Sequence, residues 1–115
     1  MNCSQKTISL IDPLPYVFTN IEALILSRNQ LTSLEGLAQF QKLKILDISY
    51  NQLKDLNEFL YLRDLKSLEV LICEGNPINI NKNAIFEETI IAIIANLRLL
   101  NNRVFNFYIY FNEII

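Results

Sequence analysis

Three stretches of the chain place apolar and polar residues in the same phase. "IEALILSRNQL" (21–31), "LKILDISYNQL" (43–53) and "LEVLICEGNPI" (68–78) each run apolar-x-x-Leu-x-apolar-x-x-Asn-x-apolar. The apolar places are Ile21, Leu24, Leu26 and Leu31, then Leu43, Leu46, Ile48 and Leu53, then Leu68, Leu71, Cys73 and Ile78. The polar place is Asn29, Asn51 and Asn76. From Asn29 to Asn51 is 22 residues and from Asn51 to Asn76 is 25, so the second unit carries about three more, assigned to "NEFLYLRDL" (57–65). Alternation predicts a short strand in each unit, with Leu24 and Leu26 on one side and Ala23, Ile25 and Ser27 on the other. A unit of this length cannot bury its own apolar edge, so the units must stack as a solenoid. After each strand the chain turns and its backbone groups lose their ladder partners. An amide side chain both donates and accepts, so Asn29, Asn51 and Asn76 are expected to be structural, holding the turns.

The flanks of the three repeats (21–78) read as caps. "TISLIDPLPYVF" (7–18) carries Ile8, Ile11 and Leu14 at the spacing of Leu31, Leu34 and Leu37. Asp12-Pro13 and Pro15 mark a turn there, so residues 1–20 are expected to form an N-terminal cap or degenerate repeat. Beyond residue 78 the period changes. Phe86, Ile90, Ile93, Ile94 and Leu97 share one helix face, with Asn83 as N-cap and Glu87 and Glu88 at the positive end of the dipole. This predicts a helical cap over 79–104. Adjacent helical residues diverge by about 100°, so Glu87 and Glu88 do not converge as a catalytic pair. The ending "FNFYIYFNEII" (105–115) alternates like a strand, with Phe105, Phe107, Ile109 and Phe111 on one face. It is expected to pack on the last repeat, with docking into a partner as the alternative.

The triple match resembles the leucine-rich repeat family, in the short 22-residue class typified by a phosphatase regulatory subunit. Segment 86–101 is similar to the cap motif that closes members of that class. Phe86 stands at the aromatic place, Ile90 and Ile91 form the aliphatic pair, and Ile94, Leu97, Leu100 and Asn101 follow. Glu87 replaces a basic residue, Ala95 a proline and Asn101 an aspartate. Cap-bearing members include the leucine-rich light chain of axonemal outer-arm dynein and the A-prime protein of a spliceosomal ribonucleoprotein. The resemblance implies an α/β fold: a short leucine-rich repeat solenoid with parallel β-strands on its concave face and a helical C-terminal cap.

Composition narrows the function. With 115 residues and 51% hydrophobic content there is material for a core, and a net charge of −2 gives no reason to expect a nucleic-acid or anionic-membrane binder. The start lacks a basic region followed by an apolar run, and no apolar stretch reaches a span of roughly 20 residues, so the chain reads as soluble and cytoplasmic. Cys3 and Cys73 stand far apart in unlike contexts, as in a reduced intracellular protein; Cys73 holds a core Leu place and Cys3 is given no role. The chain has no His and two Gly. It therefore lacks the commonest general base, a four-ligand zinc set and a glycine-rich phosphate loop, and reads as a non-enzyme with no cofactor and no metal.

The family resemblance puts binding on exposed positions of the concave face. The expected partner-binding columns are Ala23, Ile45 and Val70; Ile25, Asp47 and Ile72; Ser27, Ser49 and Glu74; and Arg28 and Tyr50, which Gly75 completes. The first two make an apolar stripe with a mixed rim, suited to a protein partner better than to nucleic acid. Tyr50 and Arg28 are residue types that dominate binding energies. The expected function is a scaffold or adaptor subunit of a larger assembly, with a ciliary or cytoskeletal setting, including the axoneme, by family analogy. The alternatives are a regulator of an enzyme such as a phosphatase, or a ribonucleoprotein component.

Overall fold

Each repeat's Leu-x-apolar step settles into three residues of strand. In a computed structural model, which describes residues 1–15, 19–79, 84–101 and 103–104, these are β1 (Ala23–Ile25), β2 (Ile45–Asp47) and β3 (Val70–Ile72). They pair in parallel, with Ala23, Ile45 and Val70 in one register and Ile25, Asp47 and Ile72 in another. The middle residues Leu24, Leu46 and Leu71 are buried, as are Leu26, Ile48 and Cys73 two places on. Burying a leucine stabilises by about 1.5–3 kcal/mol, so these inward columns contribute much of the energy that holds the stack together. The Asn83 cap and the 105–115 tail lie outside the described residues.

The sheet is longer than three strands. Leu99–Leu100 forms β4, parallel to β3, and Arg103–Val104 forms β5, antiparallel to β4. This corrects the helical reading of the C-terminal segment. Helix α1 runs only from Ala84 to Ile93, and Leu97 lies in the turn beyond it. The reason is competition for backbone partners. The exposed edge of β3 offers the Glu69 carbonyl to the N–H groups of Arg98 and Leu99, at 2.8 and 3.0 Å, and the Leu71 carbonyl to Asn101 N–H at 2.8 Å. Extending the chain there satisfies an edge that a longer helix would leave open.

At the opposite edge the first residues do the same. Asn2 bridges Ile25 in parallel, Cys3 N–H donates to the Ile25 carbonyl at 2.7 Å, and Gln5 N–H to Ser27 at 3.2 Å. The N-terminal segment thus extends the sheet and lies beside the concave face instead of over it. Cys3 is half-buried against the core, with Ile8 and Ile11 beyond it. Leu14 departs from its expected match with the buried Leu37: it is 38% exposed. Pro13 and Pro15 hold the chain extended on the surface, where Gln39 clamps it, accepting from Leu14 N–H at 2.8 Å and donating to the Asp12 carbonyl at 3.1 Å.

The return paths explain the unequal periods. After β1 the chain makes a 3-10 turn of three residues, Leu37–Gln39, whereas after β2 it makes seven residues of 3-10 helix, Leu56–Leu62. Asp55 caps the longer one by accepting from Asn57 N–H at 2.9 Å. Its Phe59 is fully buried and meets Phe86 of α1 edge to face, with ring centroids 5.6 Å apart. The extra residues of the second repeat therefore reach the cap helix.

Candidate partner-binding face

The asparagines are tied to backbone. Asn51 Nδ2 donates to the carbonyls of Leu26 and Ile48, both at 3.0 Å, and Ser49 at 3.2 Å, while Oδ1 accepts from Leu31 N–H at 2.9 Å. Asn76 Nδ2 donates to Ile48 and Cys73, and its Oδ1 accepts from Asn51 N–H and Leu53 N–H. Asn29 reaches into the N-terminal segment, donating to Cys3 and accepting from Lys6 and Ile8. At the far end Asn101 Oδ1 takes the N–H groups of Cys73 and Glu74, at 2.8 and 3.1 Å. Each amide thus links its repeat to the one before. All three repeat asparagines are buried, so they present nothing to a partner.

What faces out is the other side of the strands. Ala23, Ile25, Val70 and Ile72 are half-buried and Ile45 is 39% exposed, forming two adjoining apolar columns on a sheet whose backbone is already bonded. Asp47 interrupts the second column. Its Oδ1 accepts from Ser49 Oγ at 2.6 Å and from Ser49 N–H at 3.0 Å. Ser49 itself is 4% exposed with its hydroxyl turned to Asp47. It offers no surface and leaves the set of face residues expected from the pattern. Ser27 is half-buried and Glu74 exposed at the rim.

Arg28 and Tyr50 have left-handed backbone, φ 57 and 55, and Gly75 follows at φ 75. The three stack. The Arg28 guanidinium lies 4.5 Å from the Tyr50 ring centroid, and a Cβ on Gly75 would stand 2.4 Å from Tyr50 Cδ1. Only glycine admits the ring there, so an aromatic face with a cation above it is fixed at the rim. Neither Arg28 nor Asp47 has an ionic partner among the described residues; Lys44 and Glu22 pair at 3.8 Å along the strand starts.

Cys73 is fully buried, and burial above all pushes its thiol up to about 12. An unfolded cysteine ionises near 8.5, so this residue adds nothing to the pH dependence of stability below about that pH and favours unfolding from there towards 12. At pH 8 iodoacetamide is expected to leave Cys73 unmodified in the native protein and to label it in urea, read by peptide mass mapping. Native labelling at the rate of a free thiol would contradict its burial. Among the described residues no His, Cys, Asp and Glu side chains gather as a metal site, and no helix is long and apolar enough to cross a membrane.

Residues 19–61 match the family model for leucine-rich repeats, two copies. Over 106 residues the chain is 31% identical to cilia- and flagella-associated protein 410 of Mus musculus, covering 90% of this chain and 41% of that protein. Over 55 residues, 48% of the chain, it is 46% identical to the Mus musculus serine/threonine-protein kinase 11-interacting protein, of which this is 5%. The chain spans less than half the length of these curated relatives. Among solved structures, one from the Drosophila melanogaster SNF/U2A′ complex matches with a TM-score of 0.67 at 20% identity, covering 91% of this chain and 73% of that one, a likeness of fold. With parallel strands in register, asparagines linking successive turns and the family match over the first two repeats, the chain is a short leucine-rich repeat protein.

Proposed function

We propose that this protein is a non-catalytic interaction module that holds a protein partner on its concave face, as a scaffold or adaptor subunit of a ciliary or cytoskeletal assembly. One observation carries the reading: the contiguous apolar stripe of Ala23, Ile25, Ile45, Val70 and Ile72 stands open on a rigid sheet. A preformed apolar surface loses little conformational freedom on binding, and its rim supplies the residue types that anchor interfaces in Arg28 and Tyr50. The cilia- and flagella-associated relative supports the setting. A second reading, regulation of an enzyme, draws on the higher local identity to a kinase-interacting protein.

The test is affinity purification with mass spectrometry from the native source, run with wild type and with Ile45→Glu/Ile72→Glu. Both side chains leave the core untouched, so circular dichroism should not change, while the specific partners should be lost. Ciliary or cytoskeletal proteins among those lost support the adaptor reading, and a kinase or phosphatase supports the second. Partners retained in full by the double variant would remove the concave face from the function.

A further inference from the structure

The apolar stripe has one charge at its centre. Asp47 stands in register between Ile25 and Ile72, beside the column of Ala23, Ile45 and Val70. Its carboxylate is held in place because Oδ1 accepts both the N–H and the hydroxyl of Ser49, at 3.0 and 2.6 Å. Oδ2 makes no hydrogen bond among the described residues, and no cation there neutralises the group. Arg28 lies over Tyr50 instead, and the exposed Glu74 at the rim adds charge of the same sign. An apolar segment laid on this face would strip water from a fixed carboxylate and return nothing, which costs more than the carboxylate's two neighbours gain by being covered.

Resting on the reading that the partner binds the concave face, we propose that Asp47 determines which partner binds. The occupant is a protein segment of apolar residues carrying one Lys or Arg, whose charged group meets Asp47 Oδ2 while its flanking side chains cover Ile25, Ile45 and Ile72. Charge complementarity selects it: a buried carboxylate rejects a neutral or acidic segment more strongly than it favours the right one.

A phage-displayed random peptide library is selected on wild type, on Asp47→Asn and on Ile72→Glu. The Asn variant keeps the Oδ1 acceptor for Ser49, so its circular dichroism and urea midpoint should match wild type. Wild type is expected to enrich peptides with one basic residue among apolar ones, and Asp47→Asn to lose that basic residue. The best such peptide, synthesised, should bind Asp47→Asn at least tenfold more weakly, and exchanging its basic residue for Met should cost as much on wild type but little more on the variant. Enriched peptides without a basic residue, equal binding to Asp47→Asn, or no enrichment on wild type would overturn the proposal. If Ile72→Glu abolishes binding while Asp47→Asn does not, the concave-face reading stands and the assignment of Asp47 falls. Enrichment that survives Ile72→Glu places the peptides elsewhere and defeats both.

Discussion

Replacing Asn51 by Ala will lower the unfolding free energy by about 3–5 kcal/mol and the urea midpoint by about 2 M, taking an unfolding slope of roughly 2 kcal/mol/M. The side chain is 1% exposed and has four backbone partners drawn from two repeats. Its removal leaves the Leu31 N–H buried without a partner, at about 1–3 kcal/mol, and takes one of two bonds from each of the Leu26, Ile48 and Ser49 carbonyls, which keep Asn29 Nδ2, Asn76 Nδ2 and Arg28 N–H, at about 0.5–1.5 kcal/mol each. A small domain holds about 5–15 kcal/mol in all, so a large part of its stability rests on this one amide. Asn51→Asp keeps the acceptor for Leu31 but sets a carboxylate against three carbonyls, and it should be no better at neutral pH. Partner binding by the fraction that stays folded should not change, because Asn51 does not reach the concave face. A midpoint within about 0.3 M of wild type, on the same slope, would show that the amide bonds contribute little.

Gly36→Ala is the second large effect, at about 2–5 kcal/mol. The position has φ 95, and a Cβ there would stand 2.2 Å from the carbonyl oxygen of Ile11. The left-handed backbone alone costs an alanine about 1–2 kcal/mol, and overpacking adds about 1–3. The clash is with backbone, which cannot rotate away. Relief requires the segment carrying Ile8 and Ile11 to lift from the first repeat. The expected signature is faster hydrogen exchange at Gln30 N–H, which donates to the Ile8 carbonyl at 2.9 Å, with β3 unaffected. Equal protection of both regions in the variant would mean that the N-terminal segment does not dock through this contact.

The repeats were legible because two constraints coincide in them: alternation fixes the inward leucines, and the buried turn needs an amide at one place. The columns of the face followed from that register, so Ala23, Ile25, Ile45, Val70 and Ile72 could be listed from the pattern. Ser49 could not be excluded the same way, since its burial depends on the side chain two residues earlier. The stacking of Arg28 on Tyr50 depends on a left-handed turn that residue types other than glycine do not announce. At the C-terminal end a signal was present and outweighed. Leu97-x-x-Leu100 repeats the spacing of Leu43-x-x-Leu46 and Leu68-x-x-Leu71, and Asn101 follows it. The helical spacing that begins at Phe86 ran into the same residues, and the unpaired edge of β3 decided between them. At the N-terminal end Lys6 stands where a repeat would have Asn, so sequence pattern had no polar landmark for a strand-like partner to β1.

The asparagine bonds also have a direction. Asn29, Asn51, Asn76 and Asn101 each reach back towards the N-terminus, to backbone that precedes them by 20 residues or more. A turn is therefore closed by a residue made later. On the ribosome, where the chain appears at about 5–20 residues per second, every repeat waits for its successor before its buried amides are satisfied. Structure would advance one repeat behind synthesis, and the second repeat would become secure only when Asn76 has left the exit tunnel. Truncations from the two ends should then be unequal. Losing the last asparagine opens a turn in a repeat that is otherwise complete, while losing the first segment leaves every later turn closed.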